Sequence, residues 1–264
     1  MLHFAEYPDI SLRYELSGEG RRSLILIHEL AGTTESWDLV VPHLAADFRI
    51  LRSDQRGTGL SEKVRQPFSG ADLVTDTERL IETSGLKPPY YIAGIASGAA
   101  IAVALATRLG DKAAGVALCS PALKANPDRA QYLLSRSETA MREGMRAISA
   151  MVFARSYQPE VVTDRAVYDE YRARFLAIDP VCYAFANKVL AQADQEDALL
   201  DLVCPVLLMA GAKDLMRPPD YVRGLAAKRP GIEVEIVDSG HIMILQAPDA
   251  VGRLMRDFFK RQER

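Results

Sequence analysis

The chain has 264 residues, 48% of them hydrophobic and 25% charged, and 32 basic against 35 acidic residues leave a net charge of −3. That composition belongs to a globular protein and excludes a disordered or fibrous one. The charge balance gives no electrostatic basis for binding nucleic acid or an anionic membrane. Three scattered cysteines, Cys119, Cys182 and Cys204, argue against a disulfide framework and against a zinc site. The opening residues MLHFAEYPDI lack a basic region followed by an apolar run, and the longest strongly apolar stretch, 98–106, is too short to span a bilayer. A cytoplasmic location with no membrane partner is therefore expected.

In chain order, 11–16 alternates polar and apolar residues as a half-exposed strand does. The run LILIH at 24–28 is apolar on both faces and reads as a buried strand. FRILRSD at 48–54 ends in the turn Gln55-Arg56-Gly57-Thr58-Gly59, and YYIAG at 90–94 follows Pro88-Pro89 and leads into a helix of small residues. GVALC at 115–119, VLLMA at 206–210 and EVEIV at 233–237 are further strands, with an amphipathic helix over 250–260. Such alternation of short apolar runs with helical patterns predicts an α/β fold around a parallel sheet. Between 123 and 197 there is only helical periodicity, in pieces such as 130–150 and 163–176, over a span too long for a loop. The expected organisation is a core of 1–122 and 198–264 carrying an inserted helical cap, 123–197.

Three strand ends carry suggestive residues. Gly94-Ile95-Ala96-Ser97-Gly98 lies between a strand and a helix, where a sharp turn needs small neighbours around a strained central residue. Ala210-Gly211-Ala212-Lys213-Asp214 ends a strand on a carboxylate, and Ser239-Gly240-His241 follows the last strand.

Together with His28-Glu29-Leu30-Ala31-Gly32 and the segment 54–61, these pieces resemble, in order and spacing, the α/β-hydrolase superfamily over nearly the whole chain. The resemblance implies a mostly parallel eight-stranded sheet with helices on both faces. It also implies a serine-triad hydrolase in which position 96 holds the nucleophile, His241 is the base and Asp214 orients it. The oxyanion donors would be the backbone N–H groups of Leu30 and Ser97. No metal or organic cofactor is implied; the partner is a small-molecule ester, lactone, amide or activated carbon–carbon bond. The stretch 179–219 is most similar to enol-lactone hydrolases of aromatic-ring degradation and to their carbon–carbon-bond-cleaving cousins. The oligomeric state is not indicated.

The departure from the family is central, because position 96 is alanine, whose methyl cannot attack a carbonyl. Three explanations are open: a replacement of serine made to hold substrate intact, a natural binding protein without a nucleophile, or Ser97 acting after a shift of register. The intact histidine, acid, oxyanion loop and elbow glycines favour the first. Cofactor-free lyase or oxygenase chemistry with His241 as base is a further rival. Glu29, where the family often has glycine, either faces solvent or sets a carboxylate beside the site. Trp37, Ile95, Ile242 and Met243 are candidates for the pocket wall, although helix packing is the stronger reading of Trp37 and core burial explains Ile242 and Met243 equally well. Asp214 could instead cap a helix near Pro219. His28 is read as structural, and most of the cap arginines as solvated helix faces.

Overall fold

Segments that are apolar on both faces must be buried between two layers, and the central strands of this chain are. The computed structural model describes residues 2–262, which contain one eight-stranded sheet. Its strands are β1 (His3–Tyr7), β2 (Ile10–Ser17), β3 (Arg22–Ile27), β4 (Phe48–Ser53), β5 (Tyr90–Ile95), β6 (Ala113–Cys119), β7 (Val206–Gly211) and β8 (Ile232–Val237). They lie in the order β1-β2-β4-β3-β5-β6-β7-β8. β2 is antiparallel to β1 and β4, and every pair from β4 across to β8 is parallel. The strand order reverses beside β3 and β5, and the crevice that such a reversal opens lies at the strands' carboxyl ends.

Alternate residues of the central strands feed two cores. Ile25, Ile27, Ile92, Val116 and Leu208 pack with α1 (Gly70–Ser84), α2 (Ser97–Leu109) and, further along the chain, the helix Pro219–Ala226. Leu24, Leu26, Ala93, Ala117 and Met209 pack on the other face with the C-terminal helix, Pro248–Arg261. Ala99, Ala102 and Ala106 let α2 lie close to the sheet, all three being buried.

Between β6 and β7 the chain forms α3 (Pro127–Glu143), α4 (Met145–Ser156), α5 (Arg165–Leu176), α6 (Pro180–Ala191) and α7 (Glu196–Asp201). The piece read as one helical stretch, 130–150, is two helices. Gly144, at φ 80°, breaks it, a backbone angle that costs glycine nothing. A bridge between Lys124 and Asp194, with Nζ 2.7 Å from Oδ2, ties the two ends of this segment together. After β7 come α8 (Pro219–Ala226), α9 (Met243–Gln246) and α10 (Pro248–Arg261). β1 has no counterpart in the sequence reading, because Ala5 is its one buried residue and an edge strand of that kind shows no apolar run. No helix among the described residues is long and apolar enough to cross a membrane.

Candidate active site

The turn from β5 into α2 forces one residue into a costly conformation. That residue is Ala96, at φ 50° and ψ −115°. Its N–H donates to the Cys119 carbonyl at 2.9 Å, and its own carbonyl accepts from Ala99 (3.1 Å) and Ala122 (3.0 Å). The flanking glycines are required by space. A Cβ on Gly94 would lie 2.7 Å from the Gly98 carbonyl carbon, and one on Gly98 would lie 2.6 Å from the Ile27 carbonyl oxygen. The apex of the turn is thus position 96, and Ser97 is the first residue of α2.

The acid and the histidine meet across two neighbouring turns. Gly211 lets them approach, since a Cβ there would come within 2.7 Å of the Ser239 carbonyl oxygen. Asp214 Oδ1 accepts from the N–H groups of Met216 (2.7 Å) and Arg217 (2.9 Å), while Oδ2 lies 2.8 Å from His241 Nδ1. Asp214 does not cap α8, whose N-cap residue is Pro218. Burial pushes the Asp214 carboxyl up. The His241 charge and hydrogen bond, with the two backbone N–H groups, outweigh it and hold the pKa down at about 2. The carboxylate therefore accepts from Nδ1–H, which leaves Nε2 as the imidazole's free basic nitrogen.

The loop after β3 supplies the opposite wall. His28 is buried and structural. Its Nε2 accepts from the Gln55 N–H at 3.0 Å, so Nδ1 donates to the Glu29 carbonyl at 2.7 Å. Leu30 and Ser97 both border the space above Ala96, and neither N–H is bonded within the described residues. Glu29 does not face solvent. It is 2% exposed, with Oε1 held by the Ser36 hydroxyl at 2.9 Å and Oε2 buried without a partner. Burial first, then the neighbouring Glu29 charge, raises the Tyr171 phenol well above its usual 10.

A cavity of about 60 Å³ joins these groups, with Ala96, His241, Ile242 and Glu29 on the sheet side and Phe153, Tyr171 and Phe175 on the side of the helices between β6 and β7. A larger pocket of about 470 Å³ adjoins it, sharing Glu29, Leu30, Ser97 and Leu190 as walls. Three expected lining residues are not there. Ile95 points into the sheet's own core, Trp37 fills the core beneath the loop at 1% exposure, and Met243 is wholly buried at the start of α9. The sequence reading missed the cap aromatics and Arg217. The spacing of Tyr171 and Phe175, four residues apart on one face of α5, is the signal that could have found the former.

The profile described as "alpha/beta hydrolase fold" matches residues 22–248. This chain belongs to the α/β-hydrolase fold family. Among its relatives, this α/β-hydrolase is 27% identical over 254 residues to the dihydrolipoyllysine-residue acetyltransferase component of the acetoin cleaving system of Pseudomonas putida. That alignment covers 94% of this chain and 66% of the relative. It is 24% identical over 255 residues to 3-oxoadipate enol-lactonase 2 of Acinetobacter baylyi, covering 96% and 94% of the two chains. Among solved structures, the enol-lactonase of Burkholderia xenovorans superposes with a TM-score of 0.91 at 27% identity, covering 98% of this chain and 100% of that one. A thermophilic esterase of Thermogutta terrifontis gives a TM-score of 0.91 at 24% identity over the full length of both.

Proposed function

We propose that this site is built to hydrolyse a small ester, lactone, amide or activated carbon–carbon bond, and that with Ala96 the chain binds such a substrate without turning it over. In the serine form, the hydroxyl oxygen at position 96 attacks the carbonyl carbon as its proton passes to His241 Nε2. The negative charge that develops on the carbonyl oxygen is met by the N–H groups of Leu30 and Ser97. His241 then returns the proton to the departing group, and water repeats the sequence to release the acid. Asp214 keeps Nδ1 protonated and Nε2 free, and the helices of 123–197 serve as the lid. The reading is carried by one observation: the 2.8 Å Asp214–His241 pair borders the same cavity as the strained elbow residue. The enol-lactonase and esterase relatives support it.

The test compares the chain with Ala96→Ser on a panel of small esters and lactones. A rise in kcat on the order of 10⁵- to 10⁶-fold is expected, the scale on which losing a triad nucleophile acts. A folded but inert Ala96→Ser protein overturns the proposal, and activity of the unaltered chain that Ser97→Ala abolishes moves the nucleophile to Ser97.

One observation favours a second reading, in which His241 moves a proton without an acyl intermediate. The buried Glu29 carboxylate lies on the oxyanion loop, where negative charge opposes an oxyanion. In the Ala96→Ser background, Glu29→Gly raises kcat if acyl chemistry holds and leaves the protein inert under the second reading.

A further inference from the structure

The cap side of the cavity carries positive charge that forms no ion pair among the described residues. Arg129 and Arg136 on α3 and Arg217 beyond the acid turn all line it. Arg136 is 5% exposed, and although its Nη2 donates to Asn187 Oδ1 at 2.5 Å, its Nε is buried without a partner. Arg217 Nε is buried and unpartnered as well, its other nitrogens reaching, among the described residues, the carbonyls of Met216 (3.1 Å) and Lys124 (3.4 Å). Arg129 lies over the Tyr132 ring at 5.0 Å. Burial, followed by the charges of Arg136 and Arg217, pulls its pKa down to about 10.

Buried N–H groups without acceptors are costly, and like charges around one enclosed space repel. An anion with more than one acceptor oxygen relieves both. The planar guanidinium fork matches the two oxygens of a carboxylate bidentately, and the cavity places it beside the space above Ala96. Glu29, the carboxylate lining the same space, is held by Ser36 and pairs with none of the three arginines.

We infer that the cap wall of this cavity is a carboxylate subsite, and that the substrate is a small ester or lactone carrying a free carboxylate besides the bond to be cleaved. The cleaved bond rests on the hydrolase reading above; the subsite does not. The Ala96 chain itself is the tool, because it binds without turnover. It is titrated calorimetrically with monomethyl succinate, dimethyl succinate and inorganic phosphate. The monoester should bind at least about 10-fold more tightly than the diester, the yield of one charge-assisted contact. Arg136→Gln should erase that preference. Because Arg136 is buried, Arg129→Gln, at a half-buried position, is measured beside it, with circular dichroism confirming the fold of both; it should reduce the preference. Equal affinities, no binding of the monoester, or a preference that both folded variants retain overturn the subsite. Phosphate binding more tightly than the monoester overturns the carboxylate assignment. The two readings fail separately. An Ala96→Ser protein that hydrolyses both esters with the same kcat/KM keeps the hydrolase and removes the subsite. One that hydrolyses neither, while the monoester still binds preferentially, does the reverse.

Discussion

At the carboxyl ends of β5 and β7 the Asp214 carboxylate and the Ala96 backbone find their partners inside the protein, whereas across the cavity, on the helices between β6 and β7, buried side-chain donors do not. Both oxygens of Asp214 are engaged, and Ala96 is pinned by three backbone hydrogen bonds. Among the cavity-lining residues of those helices, Arg136 Nε and the Tyr183 hydroxyl are buried and unpartnered. A region whose polar atoms satisfy one another is complete before any ligand arrives; one whose donors point into a cavity is complementary to something that is not protein. The sheet side is not uniformly satisfied: Glu29 Oε2, the Thr34 hydroxyl, Trp37 Nε1 and the Ser120 hydroxyl are buried there without partners as well.

The largest expected effects lie on the sheet side. In the Ala96→Ser background, Asp214→Asn should lower kcat about 10⁴-fold, because the imidazole loses its orienting partner and its tautomer. A loss below about 10-fold in steady-state kinetics would remove Asp214 from the role given to it. Gly98→Ala should destabilise the chain by about 3 kcal/mol or more, since the added Cβ meets backbone oxygens that cannot move aside. Thermal unfolding that leaves Tm unchanged would mean that the elbow yields.

A smaller effect concerns acid. Asp214 ionises more readily in the folded chain, at about 2, than in the unfolded one, near 3.8. The folded state therefore holds this advantage above about pH 4 and loses it as pH falls through about 2, a total of about 2 kcal/mol. Asp214→Asn should make stability fall less steeply across that window in denaturant titrations at stepped pH. Part of the slope remains, because burial raises Glu35 while the Thr33 and Arg13 hydrogen bonds outweigh it and hold its pKa at about 2 too. Identical slopes in the two proteins contradict the assignment. The smallest change belongs to the cap. Tyr157→Phe removes a buried hydroxyl that has no partner, so stability should stay the same or rise by up to about 1 kcal/mol. A clear fall in Tm would show that the hydroxyl has a partner after all.

The same contrast explains what could be read from sequence. The elbow and the acid turn were legible because close backbone approach leaves glycine as the one residue that fits at 94, 98 and 211. The central strands were legible as short apolar runs, and β1 was not, having a single buried side chain. Glu29 was harder, because a glutamate is ordinarily exposed and its burial depends on Ser36 and on Tyr171, which comes from a distant helix. The cap arginines look alike in sequence. Only the packing of α3 against α6, which brings Asn187 to Arg136, separates the buried Arg136 from solvated neighbours such as Arg142 and Arg146.

We place the nucleophile at position 96, which shares its cavity with His241 and with the unbonded N–H groups of Leu30 and Ser97. The most direct test of that placement is covalent labelling with a fluorophosphonate, read by intact-mass and peptide mass spectrometry. One stoichiometric adduct at position 96 is expected in the Ala96→Ser protein, and none in the Ala96 chain or in the Ala96→Ser, His241→Ala double variant. An adduct on Ser97 in the Ala96 chain, or an Ala96→Ser protein that stays unlabelled while folded, would contradict the placement.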